Sequence, residues 1–305
     1  MGLEVVLTGR PPDAGGAELA RGSDAINITS ETVMGEEALA ACAQAGVRLV
    51  ACRTAGYEHV DLEAARRLGL GVTRISYSPS AVADYAIMLM LMVTRHVKTL
   101  MARSLGQDYS LSAVRGRELP DLTVGILGTG RIGETVARHL SGFGCRLLAW
   151  SPHPKEALRG LVRYCSPEEL LSESDVVTLH MRAAEDTRHW LDRARLGQMK
   201  PGAVLINTAR GSLVDSSALI DAIESGRLAG AGLDVVDGDR PVFYRDHKNQ
   251  VVAHRELAVL QSFPNVLVLP HMAFYTDHAV EDMVRRSLEA AVEYLTRGSS
   301  PWQAE

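Results

Sequence analysis

The sequence predicts an α/β protein of two doubly wound domains, each with a parallel sheet between layers of helices. Strand-like and helix-like patterns alternate along most of the chain, which is typical of parallel strands joined by helical crossovers. A glycine-rich turn joins one of these strands directly to a helix near the middle of the chain. With 305 residues, of which 46% are hydrophobic, the chain is long and apolar enough for two domains with separate cores.

The first hundred residues supply the elements of one domain. Strands are predicted at residues 3–8, 25–29, 47–52 and 71–75, and helices at residues 35–45 and 61–68. A longer helical pattern covers residues 80–103, with Ser80 as its N-cap and a middle that is apolar on all sides. This pattern predicts one long helix packed between layers or subunits, followed by an extended arm over residues 106–121.

A second alternating series begins at residue 122 and supplies the other domain. Strands are predicted at residues 122–127, 146–150, 175–179, 203–206, 230–234 and 266–269. Helices are predicted at residues 131–142, 167–172, 216–225 and 255–261, and a last amphipathic helix at residues 277–295. Six such strands suit a complete dinucleotide-binding domain of the Rossmann type.

Three glycines after the first of these strands have the spacing of a dinucleotide-binding turn. Gly128 permits the tight turn, Gly130 lets a pyrophosphate approach the backbone, and Gly133 lets the helix pack on the strand. The N–H groups that open the helix then face the phosphates. A glycine turn without a ligand is the alternative, but the strand before it and the helix after it favour the nucleotide.

Composition and charge exclude several other classes. The net charge is −5, so neither nucleic acid nor an anionic membrane is expected as the main partner. The most apolar stretch, residues 85–94, is too short to span a bilayer, and the N-terminus lacks the pattern of a secretory signal. The four cysteines lie far apart, so we expect reduced thiols, no metal site and a cytoplasmic protein.

Polar residues follow three predicted strands of the second series. They are Arg210, then either Asp234 or Asp239, and finally His271. Because ligands of an open parallel sheet bind beyond the carboxyl ends of its strands, these side chains are expected to converge beside a bound cofactor. A nicotinamide gives hydride to a carbonyl carbon, a histidine near a carboxylate can protonate the oxygen, and an arginine can bind a substrate carboxylate. The set predicts reduction of a 2-keto acid to a 2-hydroxy acid.

Several separate motifs resemble the signatures of the D-isomer-specific 2-hydroxyacid dehydrogenases. They are Asn207-Thr208-Ala209-Arg210-Gly211, Leu233-Asp234-Val235 and Pro270-His271, in the order found in that family. Residues 270–276 and 242–244 are similar to its D-lactate dehydrogenase branch. Residues 77–85, with Lys98, are similar to the D-lactate-forming enzymes of vancomycin-resistance clusters.

The resemblance implies a domain organisation and a homodimer. Residues 1–98 and 272–305 would form a discontinuous, smaller, flavodoxin-like substrate domain, and residues 99–271 would form the Rossmann cofactor domain. The long helix and the arm after it would make the contact between two copies of the chain.

The resemblance also implies the roles of individual residues. His271 would be the acid and base, Arg210 the contact to the substrate carboxylate and keto oxygen, and Asp239 the partner carboxylate of the histidine. The substrate would further meet Ala55, Gly56, Tyr77 and Phe274. The dinucleotide would lie along the three glycines and along Arg131, Ile132, Ser151, Met181, Arg182, Thr187, Thr208, Ala209 and Arg210, with Asp234 at its nicotinamide end.

The sequence departs from the family pattern at three places. Asp239 stands where the family has a glutamate and is one methylene shorter, about 1.5 Å of reach. Ser151 stands where NAD-specific folds place an acidic residue, with His153, Lys155 and Arg182 near it, which favours NADP(H) while NAD(H) stays possible. Only about sixteen residues separate the first predicted strand from residue 24, where the family usually fits a further helix and strand, so the substrate domain is expected to have lost one layer element.

The leading interpretation is therefore an NAD(P)H-dependent reductase of a small 2-keto acid, with pyruvate as the first candidate and glycopeptide resistance as a possible setting. Two alternatives stay open. One is reduction of a larger 2-keto acid in a biosynthetic pathway. The other is a cofactor-sensing scaffold, since corepressors are built on the same fold.

Overall fold

A computed structural model of the chain describes residues 2–8 and 17–304, and these form two compact units. The smaller unit comprises Met1–Ser78 and Tyr275–Glu305, and the larger comprises Pro79–Phe274. Both described units are parallel sheets with helices on two faces, so the predicted α/β class is confirmed. The predicted boundaries at residues 98/99 and 271/272 differ from this division by 20 and three residues.

The smaller unit contains a three-stranded parallel sheet in the order β1-β2-β3. Its strands are β1 (Ala25–Ile28), β2 (Leu49–Cys52) and β3 (Gly71–Thr73), and its helices are α1 (Glu36–Gln44), α2 (Leu62–Arg67) and α10 (Asp277–Arg297). The side chains of β2 alternate between two clusters. Val50 and Cys52 pack in the larger cluster with α1 and α2, whereas Leu49 and Ala51 pack against Ala291 of α10.

The strand predicted over residues 3–8 is wrong. These residues have no secondary structure, and apolar side chains such as Leu7 are exposed. A strand needs a neighbour to accept its backbone hydrogen bonds, so the local preference of Val5 and Val6 for extended backbone does not suffice.

The larger unit contains a seven-stranded parallel sheet in the order β10-β9-β8-β7-β4-β5-β6. Its strands are β4 (Thr123–Leu127), β5 (Arg146–Trp150), β6 (Arg163–Tyr164), β7 (Val176–Leu179), β8 (Ala203–Asn207), β9 (Leu228–Leu233) and β10 (Val266–Val268). Its helices are α3 (Ser80–Thr94), α4 (Val97–Leu105), α5 (Arg131–Leu140), α6 (Pro167–Glu173), α7 (Arg193–Gln198), α8 (Ser216–Glu224) and α9 (Arg255–Ser262). The sequence patterns missed β6 and α7, which are only two and six residues long.

The larger sheet is buried on both faces. Within β4, Leu127 joins one apolar cluster, whereas Val124 and Ile126 join the other. Buried parallel strands appear in the sequence as continuous apolar runs, which is why six of the seven were predicted within two residues of their ends.

The single long helix predicted over residues 80–103 is wrong. The chain forms α3 and α4 with a bend of 62°, and His96 between them has the left-handed φ of +54°. The Nζ of Lys98, in the first turn of α4, donates to the carbonyls of Gln261, Phe263 and Val266 at 2.6–2.8 Å. These three bonds hold the first turn of α4 against the segment around β10, at an angle to α3.

Helix α3 lies in the larger unit, where it packs on α5, β8 and β9. Ser80, predicted as its N-cap, is instead its first residue, and Pro79 takes the cap position. Over the described part of the chain, no single helix is long and apolar enough to cross a membrane. Only α3 and α4 taken together, as a bent pair, have that length and apolarity.

Candidate functional site

The glycine turn lies between β4 and α5, as predicted. Gly128 has a φ of +96°, and a Cβ there would lie 2.6 Å from the carbonyl oxygen of His180. A Cβ on Gly133 would lie 1.9 Å from the carbonyl oxygen of Gly128. A Cβ on Gly130 would meet no atom within 4 Å. The fold itself thus requires two of the glycines, whereas the third leaves open space in front of the first turn of α5, where Arg131 and Ile132 lie.

Tyr164 connects this turn to the segment after β5. Its hydroxyl donates to the hydroxyl of Thr129 in the glycine turn at 3.1 Å and accepts the N–H of Lys155 at 3.0 Å. One side chain therefore holds two segments of a nucleotide site together. This role could not be predicted from the sequence, because a tyrosine at the end of a two-residue strand resembles any other edge residue.

The segment after β5 holds the residues on which the cofactor preference was argued. Ser151 directly follows β5 and offers a hydroxyl instead of a carboxylate. Its Oγ accepts a long hydrogen bond from the N–H of His153 at 3.4 Å. Lys155 makes an ion pair with Glu134 of α5, with Nζ and Oε2 2.7 Å apart. Hydrogen bonds from Lys155 and Arg138 lower the pKa of that glutamate. Lys155 is thus already paired.

The residues after β7 and β8 complete the predicted cofactor set. Met181 and Arg182 follow β7, where Arg182 is exposed. The hydroxyl of Thr187 accepts the N–H of Ala184 at 2.8 Å and closes its own turn. The hydroxyl of Thr208 is buried without a hydrogen-bond partner among the described residues. A buried hydroxyl of this kind and the open space at Gly130 both fit a bound dinucleotide.

Arg210 is presented by a tight turn after β8. Asn207 builds this turn, since its side chain accepts the N–H of Ala209 and donates to the carbonyl of Arg210. The next residue, Gly211, lies so close to the backbone of Val236 that a Cβ would be 2.2 Å from it. This close approach places the Arg210 turn against the loop that carries Asp239.

Arg210 is close enough to Asp239 for its charge to act on this carboxylate. Their joint role in a reaction stays a prediction. Burial raises the pKa of Asp239, while the N–H of Val236, the His254 ring and the Arg210 guanidinium act in the opposite direction. The Asp239 carboxylate accepts the Val236 N–H at 3.0 Å. The arrangement keeps a partly buried carboxylate next to a guanidinium at the end of β9.

His271 follows β10, which pairs with β9 along the same sheet edge. Its backbone has the left-handed φ of +55°, and its N–H donates to the carbonyl of Asp234 at 2.9 Å. The carboxylate of Asp234 accepts the next two backbone N–H groups, from Met272 at 2.8 Å and Ala273 at 3.0 Å. Asp234 thereby determines the turn on which the imidazole stands.

Asp234 is fully buried, and burial raises its pKa to about 7. The hydroxyl of Tyr85 on α3 also hydrogen-bonds to this carboxylate. Burial, together with the charge and the hydrogen bond of Asp234, raises the pKa of the tyrosine to about 12. The contact of Asp234 with a nicotinamide stays a prediction. Its role in the His271 turn and the contribution of Tyr85 were not foreseen from the sequence.

Two aromatic rings surround the imidazole. The ring of Tyr244 stacks on His271 with centroids 5.6 Å apart, and its hydroxyl donates to the His271 carbonyl at 2.8 Å. The ring of Phe274 meets the imidazole edge-on at 6.2 Å. The imidazole thus has aromatic rings on two sides. The predicted role of Phe274 in the substrate pocket stays a prediction, and Tyr244 was not assigned a role from the sequence.

The other predicted substrate contacts belong to the smaller unit. Ala55 and Gly56 follow β2, and the Thr54 hydroxyl donates to the Gly56 carbonyl at 2.6 Å. Tyr77 precedes Ser78, whose N–H donates to the buried carboxylate of Asp282 at 3.1 Å. Their contact with substrate stays a prediction. Within the described ranges, no group of three metal-ligating side chains is present.

Comparison with known proteins identifies the relatives of this chain. A family model described as "D-isomer specific 2-hydroxyacid dehydrogenase, NAD binding domain" matches residues 87–273. A D-specific alpha-keto acid dehydrogenase of Enterococcus faecalis is 41% identical over 92% of this chain and 86% of the relative. An aromatic 2-oxoacid reductase of Clostridium sporogenes is 36% identical over 94% and 88%. The solved pyruvate reductase of Chlamydomonas reinhardtii has a TM-score of 0.89 at 36% identity, covering 97% of this chain and 89% of that one.

Proposed function

The chain belongs to the D-isomer-specific 2-hydroxyacid dehydrogenase family of NAD-dependent oxidoreductases, and on that premise we propose that it reduces pyruvate to D-lactate. The predicted family, and with it an enzyme that reduces 2-keto acids, is confirmed. The observation that supports the proposal most is the Arg210 guanidinium near the Asp239 carboxylate. These residues follow β8 and β9, and β9 pairs with β10, the strand that precedes His271.

In this proposal the three side chains have different tasks. Arg210 binds the substrate carboxylate and polarises the keto oxygen through parallel hydrogen bonds. A bound nicotinamide supplies hydride to the keto carbon. His271 donates its proton to the keto oxygen, which becomes the hydroxyl of the product. Asp239 favours the protonated imidazole before that transfer.

The remaining predicted contacts keep their places in the proposal. Ala55 and Gly56 offer backbone N–H groups to the substrate carboxylate, and Tyr77 and Phe274 line the substrate pocket. The dinucleotide lies along Gly128, Gly130, Arg131, Ile132, Gly133, Ser151, Met181, Arg182, Thr187, Thr208, Ala209 and Arg210, with Asp234 near its nicotinamide end.

The side chain of the keto acid is the open part of the proposal. One relative is named for pyruvate and another for aromatic 2-oxoacids, so the second candidate is a larger 2-keto acid. Oxidation of cofactor followed at 340 nm, with pyruvate, 2-oxobutyrate, 4-methyl-2-oxopentanoate and phenylpyruvate, distinguishes the two. The highest kcat/KM is expected with pyruvate. An inactive panel despite tight nucleotide binding would favour the cofactor-sensing scaffold instead.

The pH dependence of kcat/KM should depend on the protonation state of Asp239. Because burial raises the pKa of this carboxylate, it takes up a proton at a higher pH than an ordinary aspartate as the solution is acidified. The neutral form no longer supports a protonated imidazole, so kcat/KM should fall on the acid side. Asp239→Asn should remove this acid limb while leaving some activity. The check is kcat/KM of both proteins from about pH 5 to 9, and superimposable profiles would contradict the role.

For the cofactor we propose that NADPH is preferred and that NADH is also used. No carboxylate lies at residues 150–155, and the first one, Glu156, makes an ion pair with Arg159. His153 and Arg182 are exposed and can reach a 2′-phosphate, whereas Lys155 is already paired with Glu134. The proposed preference for NADPH thus depends on His153, on Arg182 and on the lack of a carboxylate after β5.

Ser151→Asp is expected to shift the ratio of kcat/KM for NADH over NADPH by about tenfold or more toward NADH. A carboxylate there accepts the ribose hydroxyl and repels a 2′-phosphate, and about 1.4 kcal/mol corresponds to tenfold. Ser172→Asp, on the exposed face of α6, is the matched control and should leave the ratio unchanged. A strong NADH preference of the unaltered chain, or an unchanged ratio in Ser151→Asp, would contradict the proposal.

We also propose a homodimer that forms through α4 and the arm after it. Met101, Leu105 and Leu111 are 62%, 90% and 91% exposed, and apolar surface of this extent marks an interaction site. Light scattering should therefore give twice the chain mass of 33.0 kDa. A cytoplasmic location fits the four unpaired thiols. A role in glycopeptide resistance rests on residues 77–85 and would appear as D-lactate at the end of cell-wall precursors.

A further inference from the structure

We propose that His254 is a positioning residue for Asp239: its ring holds the loop that carries this carboxylate and thereby sets the rate of the proton-transfer step. The inference rests on the proposed function, because it takes Asp239 as the partner of His271. His254 lies fifteen residues after Asp239 and outside every motif of the sequence.

Both ring nitrogens of His254 are engaged. The residue is the N-cap of α9, where its Nδ1 accepts the N–H of Leu257 at 3.2 Å. Its Nε2 donates to the carbonyl of Asp237 at 2.9 Å. The side chain is 10% exposed, so these bonds are shielded from water. One imidazole therefore joins the first turn of α9 to the loop after β9.

Backbone bonds hold the Asp239 side of that loop: its N–H donates to the Val236 carbonyl at 3.1 Å, and its carbonyl accepts the N–H groups of Val242 at 2.8 Å and Phe243 at 3.0 Å. His254 adds the bond to the Asp237 carbonyl, next to the glycine at the centre of the loop. Gly238 has a φ of +79°, and a Cβ there would lie 3.4 Å from the Nε2 of His254. Asp237 on one side is bonded through its carboxylate to Arg188 and His189. Asp239 on the other side accepts the Val236 N–H. Gly238, which lies between Asp237 and Asp239, packs against the ring of His254.

A helix cap alone does not account for an imidazole at this position. The caps of α6, α7 and α8 in the same unit are Ser166, Asp192 and Asp215, which are ordinary residues for this task. Such short side chains would satisfy the N–H of Leu257 but would not also reach the carbonyl of Asp237. The second bond matters here because Asp239 has a short side chain, so its reach depends on the loop.

Two variants test the Nδ1 bond to Leu257 and the Nε2 bond to Asp237 separately. The amide of asparagine can replace Nδ1 as the helix cap but is too short to replace Nε2, and glutamine has the opposite property. His254→Asn is therefore expected to keep the melting temperature and to lose about tenfold in kcat, with the KM for the keto acid within about twofold. The acid limb of its pH profile should shift as well. His254→Gln is expected to melt lower and to keep kcat within about twofold.

Asp192→Asn, a cap change on α7, is the control and should alter neither kcat nor the pH profile. A native kcat in His254→Asn, or an equal loss of kcat in both His254 variants that follows their melting temperatures, would overturn the inference. If the unaltered enzyme binds nucleotide yet reduces no 2-keto acid, the proposed function fails and the role of Asp239 fails with it.

Discussion

His271→Asn is expected to lower kcat/KM for the 2-keto acid by about 10²–10⁴-fold, the usual contribution of a positioned general acid. An amide cannot give up a proton at neutral pH, so the developing oxyanion would have to take its proton from water. Nucleotide affinity should stay within about twofold, because the variant leaves the glycine turn intact.

Asparagine is the informative replacement because of the backbone. His271 has a φ of +55°, a conformation that asparagine tolerates better than alanine or any branched residue. The contacts of its N–H and carbonyl with Asp234 and Tyr244 should then persist. His96→Asn makes the same change at a φ of +54°, between α3 and α4, and should leave kcat unaltered. A rate near native in His271→Asn would refute the assignment of the proton donor.

Arg210→Lys should raise the KM for the keto acid and lower kcat/KM by about 30- to 10³-fold, which corresponds to about 2–4 kcal/mol. A lysine keeps the charge but loses the planar pair of donors that matches a carboxylate. It also changes the neighbour of Asp239, whose ionised form the guanidinium favours. The effect should therefore include a higher apparent pKa on the acid side of the profile.

Steady-state kinetics of Arg210→Lys with saturating cofactor gives both quantities. Arg163→Lys, which alters an exposed pair with Glu169 and Glu173, is the control for a general effect of the exchange. If KM and kcat/KM in Arg210→Lys stay within about twofold of native, the guanidinium does not bind the substrate as proposed.

The parts of the site that the sequence predicted have local causes. Gly128 and Gly133 are needed because a Cβ would collide with backbone a few residues away or on the adjacent strand. Arg210, Asp239 and His271 follow β8, β9 and β10, and parallel strands necessarily bring their carboxyl ends to one sheet edge. A buried strand is apparent as an apolar run, so these positions follow from pattern alone.

The parts that were missed depend on contacts distant in sequence. The break at His96 follows from the bonds of Lys98 to carbonyls more than 160 residues later, which no helical pattern contains. Lys155 was counted toward a 2′-phosphate, but Glu134 on another element pairs with it. The bonds of Asp234 to the N–H groups of Met272 and Ala273 were not foreseen either, because these residues lie 38 and 39 positions later.

The burial of Asp234 also links folding to proton uptake. In the native chain its pKa is about 7 instead of the usual 3.8, so between these values the native state binds a proton that the unfolded chain has released. Stability contributed by this group is complete below about pH 4 and is lost as the solution becomes more alkaline, through about pH 7. The carboxylate that orders the turn at His271 therefore makes the protein less resistant to unfolding in basic solution.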